Sequence, residues 1–322
     1  MNINSKVYVA GHTGLVGSAV HRALSHRKHN NLTLRTHSSL DLTDFTAVNQ
    51  FFEQERPEIV FLCAAKVGGI IANNTYPADF ILINTSIALN VIRSSWMSHV
   101  KRLIFLGSSC IYPKICSQPI KEDALLSGYL EPTNRPYAIA KIAGIEMCWS
   151  FNRQYGTSFL SAMPCNLYGI GDNYNLETSH VIPAMIRKIH FAKINNSDSV
   201  ELYGTGRPLR EFLFADDLAD ALLFLSDLSD NEFNSLTKSD TQSPIINIGS
   251  GKDISISDLA SIICRIVGYQ GSIIWNNNKP DGTPRKLLDI SKIQSLGWTP
   301  KTDLETGIKI AYDDFLVSYP HL

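Results

Sequence analysis

Along its first half the chain repeats one order: a short apolar run, a glycine or polar break, then apolar residues at helical spacing. Lys6-Val7-Tyr8-Val9-Ala10 is the first run, and beyond the break Ala19, Val20, Ala23 and Leu24 mark one face of a helix. Leu32-Thr33-Leu34 predicts a second strand, and Asp41-Leu42-Thr43-Asp44 predicts the capped start of a helix. Glu58-Ile59-Val60-Phe61-Leu62-Cys63-Ala64-Ala65 reads as a third strand buried on both faces, with Cys63 in the core. A helix over residues 79–99, a strand at 102–106, a helix from Pro136 and a strand at 159–164 follow. Such alternation specifies an α/β fold with a parallel sheet between helices.

From roughly residue 170 the alternation loosens into loops bearing Asn173, Ser179, His180, Arg187 and Lys188, after Cys165-Asn166-Leu167-Tyr168-Gly169, read as an exit loop. A helix starts at Ala215-Asp216-Asp217, with acidic residues favourably placed in its first turn. Ile245-Ile246-Asn247-Ile248 predicts a strand, and Leu259, Ile262, Ile263 and Ile266 mark the core face of a further helix. Residues 281–286 and 296–300 read as loops before a last amphipathic helix at about 304–315. Repeats, low-complexity stretches and long linkers are absent from the sequence.

Composition narrows the class. The 322 residues, 44% hydrophobic and 18% charged, suffice for one large core and a smaller companion. With 29 Lys+Arg against 30 Asp+Glu there is no basic field for nucleic acid, so the expected partners are small molecules. No apolar run approaches the ~20 residues of a membrane span, and the N-terminus runs straight into a strand, so neither membrane nor export is expected. Cysteines 63, 110, 116, 148, 165 and 264 show neither CxxC nor a paired framework, which points to no metal, no disulfides and a reducing cytoplasm.

The chemistry gathers at strand ends. Gly11-His12-Thr13-Gly14-Leu15-Val16-Gly17 sits between strand and helix, where glycines permit a tight turn and close approach of a pyrophosphate to the helix N-terminus. The expectation is therefore a Rossmann doubly wound parallel sheet binding a dinucleotide over residues 1–169, with later strands returning at about 212–250. Residues 170–322 mainly form a smaller C-terminal α/β substrate-binding domain. Arg35, ending the second strand where NAD-binding sites place an acid, favours the 2′-phosphate of NADP, although a surface Arg would look the same.

Gly68-Gly69 and Gly107-Ser108-Ser109-Cys110 occupy further strand exits, where open α/β sheets bind ligands. A Ser108 hydroxyl there could bond a substrate carbonyl or merely close the strand, and Cys110 could be a small buried hydrophobe. Tyr137 and Lys141, four residues apart behind Pro136, place a phenol beside an ammonium. The cation is expected to lower the phenol's pKa, allowing proton transfer to a carbonyl oxygen. Tyr203, Arg207 and Arg210 supply a ring and cations that suit a nucleoside diphosphate or, equally, a solvated face.

Together Gly11-x-x-Gly14-x-x-Gly17, Ser108, Tyr137-x-x-x-Lys141 and Arg210-Glu211-Phe212-Leu213-Phe214-Ala215-Asp216-Asp217 resemble the extended short-chain dehydrogenase/reductases that act on nucleotide sugars. Residues 64–69, 107–114, 131–134, 137–144 and 179–184 resemble more closely the members that turn GDP-4-keto-6-deoxy-D-mannose into GDP-L-fucose. The resemblance implies an NADPH-dependent enzyme that inverts C3 and C5 with Cys110 and His180 as base and acid, then reduces C4. Tyr137 gives the proton, Ser108 is a second donor, and Lys141 holds the nicotinamide ribose.

By position, the family's cofactor contacts fall on Gly11, His12, Thr13, Gly14, Leu15, Val16 and Gly17, on Arg35 and Leu40, and on Leu106, Gly107, Ser108 and Ser109. They continue on Lys141, on Pro164, Cys165, Asn166 and Leu167, and on His180. Substrate contacts fall on Lys188, Tyr203, Arg210 and Asp281. Thr13 stands where some members carry an Arg for the 2′-phosphate, leaving Arg35 alone, and Tyr203 replaces a Trp while keeping an aromatic surface. The resemblance also implies a GDP-sugar partner and a homodimer through a four-helix interface. Another GDP-4-keto sugar, on the way to colitose or a 6-deoxyheptose, fits the same catalytic set. A non-catalytic NADP-binding protein would leave Cys110 and His180 unexplained.

Overall fold

A computed structural model describes residues 1–278 and 281–319. In chain order the elements that build the first layer are β1 (Val7–Ala10), α1 (Leu15–His26), β2 (Leu32–Thr33), α2 (Phe45–Glu55) and β3 (Ile59–Leu62). After them come α3 (Ile70–Thr75), α4 (Pro77–Met97), β4 (Arg102–Leu106), α5 (Arg135–Tyr155) and β5 (Phe159–Pro164). The remainder comprises β6 (Asn166–Tyr168), α6 (Val181–Ile194), β7 (Ser199–Tyr203), β8 (Leu209–Phe214), α7 (Ala215–Asp227) and α8 (Asp230–Thr237). It continues through β9 (Ile245–Ile248), β10 (Asp253–Ser255), α9 (Ile256–Val267), β11 (Ser272–Asn276), β12 (Arg285–Lys286), α10 (Ser291–Ser295) and α11 (Leu304–Ser318).

The main sheet is parallel and six-stranded, in the order β2-β1-β3-β4-β5-β9. Its strands are short runs of apolar residues because both faces are covered: α2, α4 and α5 lie on one side, α1 and α7 on the other. Tyr8, 1% exposed, packs its ring 4.7 Å from that of Phe51 and 5.8 Å from that of Phe52. Each fully buried side chain of this size contributes roughly 2 kcal/mol over leaving it exposed. The order reverses at β1, so the loops after β1 and β3 leave the same carboxyl edge side by side, and Cys63 N donates to Ala10 O at 3.0 Å.

α5 is fixed at its far end. Gly156 closes it in the left-handed region at φ +71°, and the Asn152 amide donates to Phe159 O at 2.8 Å while accepting from Phe159 N at 2.9 Å. That staple sets the register of the helix on which Tyr137 and Lys141 ride.

A second core gathers Tyr168, Tyr174, Ile186, Ile189, Leu259, Ile263 and Phe315 around a sheet of β10, β8 and β12, with β6 paired to β8 and a separate β7-β11 pair. On α9, Leu259 and Ile263 are buried, whereas Ile262 and Ile266 only flank the core.

Several expectations need correction. Residues 166–168 are a strand, not an exit loop, because β8 supplies a parallel partner. The third strand stops at Leu62, and Cys63 is only half-buried because the chain there leaves the sheet. The helix foreseen over 79–99 runs Pro77–Met97, ended by His99 at φ +55°, and α3 precedes it. No helix among the described residues is long and apolar enough to cross a membrane.

Candidate active site

The glycine loop is dictated by contact. Gly11 has φ +84°, and a Cβ on Gly17 would lie 2.0 Å from Gly11 O, so α1 can approach β1 only with glycine at both positions. Gly14 caps α1 without a side-chain acceptor, which leaves first-turn N–H groups for an anion. The His12 Nδ1 is buried without a partner. This loop fits the pyrophosphate of a dinucleotide. Leu40, 7% exposed, belongs to the core beside it.

Arg35 is more committed than expected: its guanidinium donates to Glu55 Oε1 at 2.7 Å and lies 5.5 Å from the Phe51 ring centroid. Lys6 shares the same carboxylate at 2.6 Å and, through its hydrogen bond, holds Glu55 below the usual carboxylate range. Thr13 is exposed on the rim of the glycine loop.

The exit of β4 carries the densest chemistry. Gly107 N donates to Ala162 O at 2.8 Å, and a Cβ on Gly107 would lie 2.1 Å from Met163 Cε, so the strand passes tightly over β5 before turning. Ser108 then caps a short 3-10 turn at Ser109–Ile111, accepting from Cys110 N at 3.3 Å, and its hydroxyl lies beside the Tyr137 phenol. Cys110 Sγ receives Asn134 Nδ2 at 3.3 Å and Lys286 Nζ at 3.9 Å. The Tyr137 ring stands edge-on to Phe80 at 6.3 Å.

Lys141 is 3% exposed and donates to Leu106 O at 2.7 Å, with Nζ 5.7 Å from the Tyr137 centroid. Burial lowers its pKa to about 8, opposed by the Cys63 thiol. For Tyr137 the expected lowering is overturned. Enclosure of the hydroxyl pushes its pKa up, the nearby Cys110 adds to this, and the Ser108 hydrogen bond opposes it. The ammonium is bonded to the Leu106 carbonyl, and desolvation is the largest cause acting on the phenol.

From the second core come the remaining candidates. His180 caps α6 with extended backbone; the residue is exposed, while the protein packed around its ring lowers its pKa. Its neighbours face the β3 exit, since Gly69 N donates to Thr178 O at 3.2 Å and a Cβ on Gly69 would lie 3.0 Å from Ser179 O. Lys188 Nζ sits 3.9 Å above the Tyr203 ring, which is 50% exposed, and donates to Glu201 O at 3.2 Å.

Asp281 takes Thr205 N at 2.7 Å and Thr205 Oγ1 at 2.8 Å, and its carbonyl accepts from Arg210 at 3.4 Å. Lys188 and Tyr203 form one pair, and Arg210 and Asp281 another, with the second at the end of the loop leaving β7. Pro164 and Cys165 are buried at the β5 exit, and Asn166 donates to Glu211 O at 2.9 Å.

Two contacts of the site are absent from the roles assigned above. Asn134 and Lys286 both reach Cys110, and no local pattern marks them, since one lies in a 3-10 turn and the other in a two-residue strand. The model of the NAD dependent epimerase/dehydratase family matches residues 7–249. GDP-L-fucose synthase 1 of Arabidopsis thaliana is 53% identical over 313 residues, 97% of this chain and 94% of that one. GDP-L-fucose synthase of Escherichia coli K12 is 50% identical over 311 residues, 97% of this chain and 96% of that one. Among solved structures, a GDP-mannoheptose C4 reductase from Campylobacter jejuni with NADP bound is 40% identical at a TM-score of 0.87, covering 98% and 99% of the two chains.

Proposed function

The chain belongs to the NAD dependent epimerase/dehydratase family and, within it, to the GDP-L-fucose synthases, and from that membership we propose the reaction it performs. It is an NADP-dependent oxidoreductase with epimerase activity, converting GDP-4-keto-6-deoxy-D-mannose to GDP-L-fucose. The observation that carries this reading is the turn after β4, which sets the Ser108 hydroxyl beside the Tyr137 phenol and bonds it to the Cys110 main chain. Reductase and epimerase groups therefore share one turn.

The glycine loop, Arg35 and the exits of β4 and β5 hold the cofactor. NADPH, when bound, supplies the hydride that reduces C4. Cys110 takes a proton from C3 or C5, each acidic through the C4 ketone, and His180 returns one on the opposite face. Tyr137 and Ser108 donate hydrogen bonds to the enolate oxygen, an arrangement in which each donor contributes about 3 kcal/mol. After inversion Tyr137 passes its proton to the new C4 alkoxide. Burial raises the phenol's pKa, so it stays protonated and ready as an acid at neutral pH. Lys141 fixes the geometry of the helix face that presents it. Lys188, Tyr203, Arg210 and Asp281, in the portion from residue 170 onward, hold the GDP moiety by cation, ring and carboxylate contacts.

The enzyme works in the cytoplasm as a homodimer. Ile81, Leu82, Leu89 and Met97 of α4, together with Ile139 of α5, are exposed apolar side chains on two helices packed together, and a second copy covers them. Leu82→Glu would shift the sedimentation of such a dimer to that of a monomer.

The reaction is tested with the 4-keto sugar and NADPH in deuterated water. Deuterium at both C3 and C5 of a galacto-configured product supports the bifunctional reading. Reduced product with protium at both leaves a simple 4-reductase, the activity named for the Campylobacter jejuni relative.

A further inference from the structure

The sulfur of Cys110 is approached by an amide and an ammonium that the pairing of Ser108 with Tyr137 does not require. Asn134 Nδ2 lies 3.3 Å away and Lys286 Nζ 3.9 Å. Lys286 comes from the second sheet, where Arg285 and Lys286 pair in register with Leu209 and Arg210. The segment is also clamped to the loop beyond Cys110: Ile120 N donates to Leu287 O at 2.8 Å, Asp289 N to Ile120 O at 2.8 Å, and Leu287 N to Gln118 Oε1 at 2.9 Å. The two consecutive cations are treated differently. Arg285 is neutralised by Asp253, whereas among the described residues no carboxylate pairs with Lys286; its ammonium reaches the Cys110 sulfur, with the Cys116 and Cys165 thiols also within its field.

We infer that Lys286 is the charge partner of Cys110, a positioning residue whose ammonium holds the negative charge that makes the sulfur a carbon base. The role rests on the epimerase reading above. In the step it serves, a sulfur lone pair takes the proton from the carbon beside the ketone. The C–H electron pair moves into the enolate, and the negative charge passes from sulfur to the enolate oxygen. Lys286 keeps its own protons throughout, so its contribution is electrostatic. The donor from Asn134 fixes the direction of the thiol.

The test uses the full chain and iodoacetamide near neutral pH, with alkylation of each cysteine followed by peptide mass mapping. Lys286→Gln and Lys286→Met are expected to slow Cys110 by about 10-fold or more, and Lys286→Arg by less than about 3-fold. Cys264, half-buried on α9, keeps its rate, and Cys148, 0% exposed, stays unlabelled in any variant that folds. Wild-type alkylation of Cys110 in a folded Lys286→Gln chain overturns the inference.

Exchange of C3 and C5 protons with solvent gives the second readout. It should fall about 10- to 100-fold in Lys286→Gln, while hydride transfer to the already epimerised ketone stays within about 2-fold. If the wild-type enzyme exchanges neither proton yet alkylation still depends on Lys286, the epimerase reading falls and the charge pairing stands. If wild-type exchange is normal and Lys286→Gln matches it, the pairing falls and the epimerase reading stands.

Discussion

Lys141 donates to the main-chain carbonyl of Leu106 at 2.7 Å, so the lysine of the Tyr137–Lys141 pair is tied to the end of β4. The fold thereby buries an ammonium, and burial lowers its pKa to about 8. An unfolded lysine titrates near ~10.4, so below pH ~8 both states are charged and the fold carries the full burial penalty. Between those values the folded chain loses its proton first, and stability rises with pH. Lys141→Met should therefore unfold at higher urea at pH 7, by up to about 3 kcal/mol, with the gap closing toward pH 10. Turnover should be lost at both. A gap unchanged with pH would mean that the ammonium is not the strained group.

Tyr137→Phe and Cys110→Ser should separate the two halves of the reaction. The first removes the C4 proton donor and slows reduction by about 100-fold or more, leaving NADPH affinity nearly intact by fluorescence titration. The second slows C3 and C5 exchange far more than reduction of the epimerised ketone. A parallel fall in both steps for Cys110→Ser would make Cys110 a substrate-positioning group instead.

Gly17→Ala should weaken the cofactor and the fold together, because the new methyl would meet Gly11 O at 2.0 Å. Calorimetry should show a loss of about 2–4 kcal/mol in stability, the scale of a forced overpacking at a backbone contact. Gly156→Ala is a useful comparison: nothing lies within 4 Å of its Cβ, so only its φ of +71° opposes the change, at about 1 kcal/mol.

Asp172 should make the protein less stable as pH rises through the acidic range. Burial pushes its carboxyl up to about 7, its Oδ2 has no partner, and Asn173 N donates to Oδ1 at 2.7 Å. The unfolded chain gives up this proton near pH ~4 and the folded chain near ~7, so stability declines across that window. Asp172→Asn keeps the Oδ1 acceptor and removes the charge. It should raise the melting temperature at pH 8 and leave it nearly unchanged at pH 4; equal gains at both pH values would refute the assignment.

The parts legible in the sequence are those whose causes are local. Ile59–Leu62 and Arg102–Leu106 are buried by helices on both faces, and that leaves an apolar run. The glycine loop follows from a clash between residues six apart. β6 and β12 were not legible, since three and two residues become strands only because β8 lies alongside. Lys286 therefore looked like a loop lysine. The Tyr137 expectation failed for a related reason: helical spacing reveals the cation at Lys141, but not the enclosure around the phenol or the Leu106 carbonyl that takes the ammonium.

β9 completes the main sheet beside β5, in register from Ser161↔Ile245 to Pro164↔Ile248, after the chain has left to begin the second core. During synthesis the β5 edge therefore waits, unpaired, until about eighty more residues have emerged from the ribosome. A fragment ending at 169 would expose that edge permanently and invite strand-to-strand aggregation. The shortest piece worth exchanging between relatives is thus not the glycine-loop half alone but everything through Ile248, and a chimera cut earlier should precipitate rather than lose only its substrate preference.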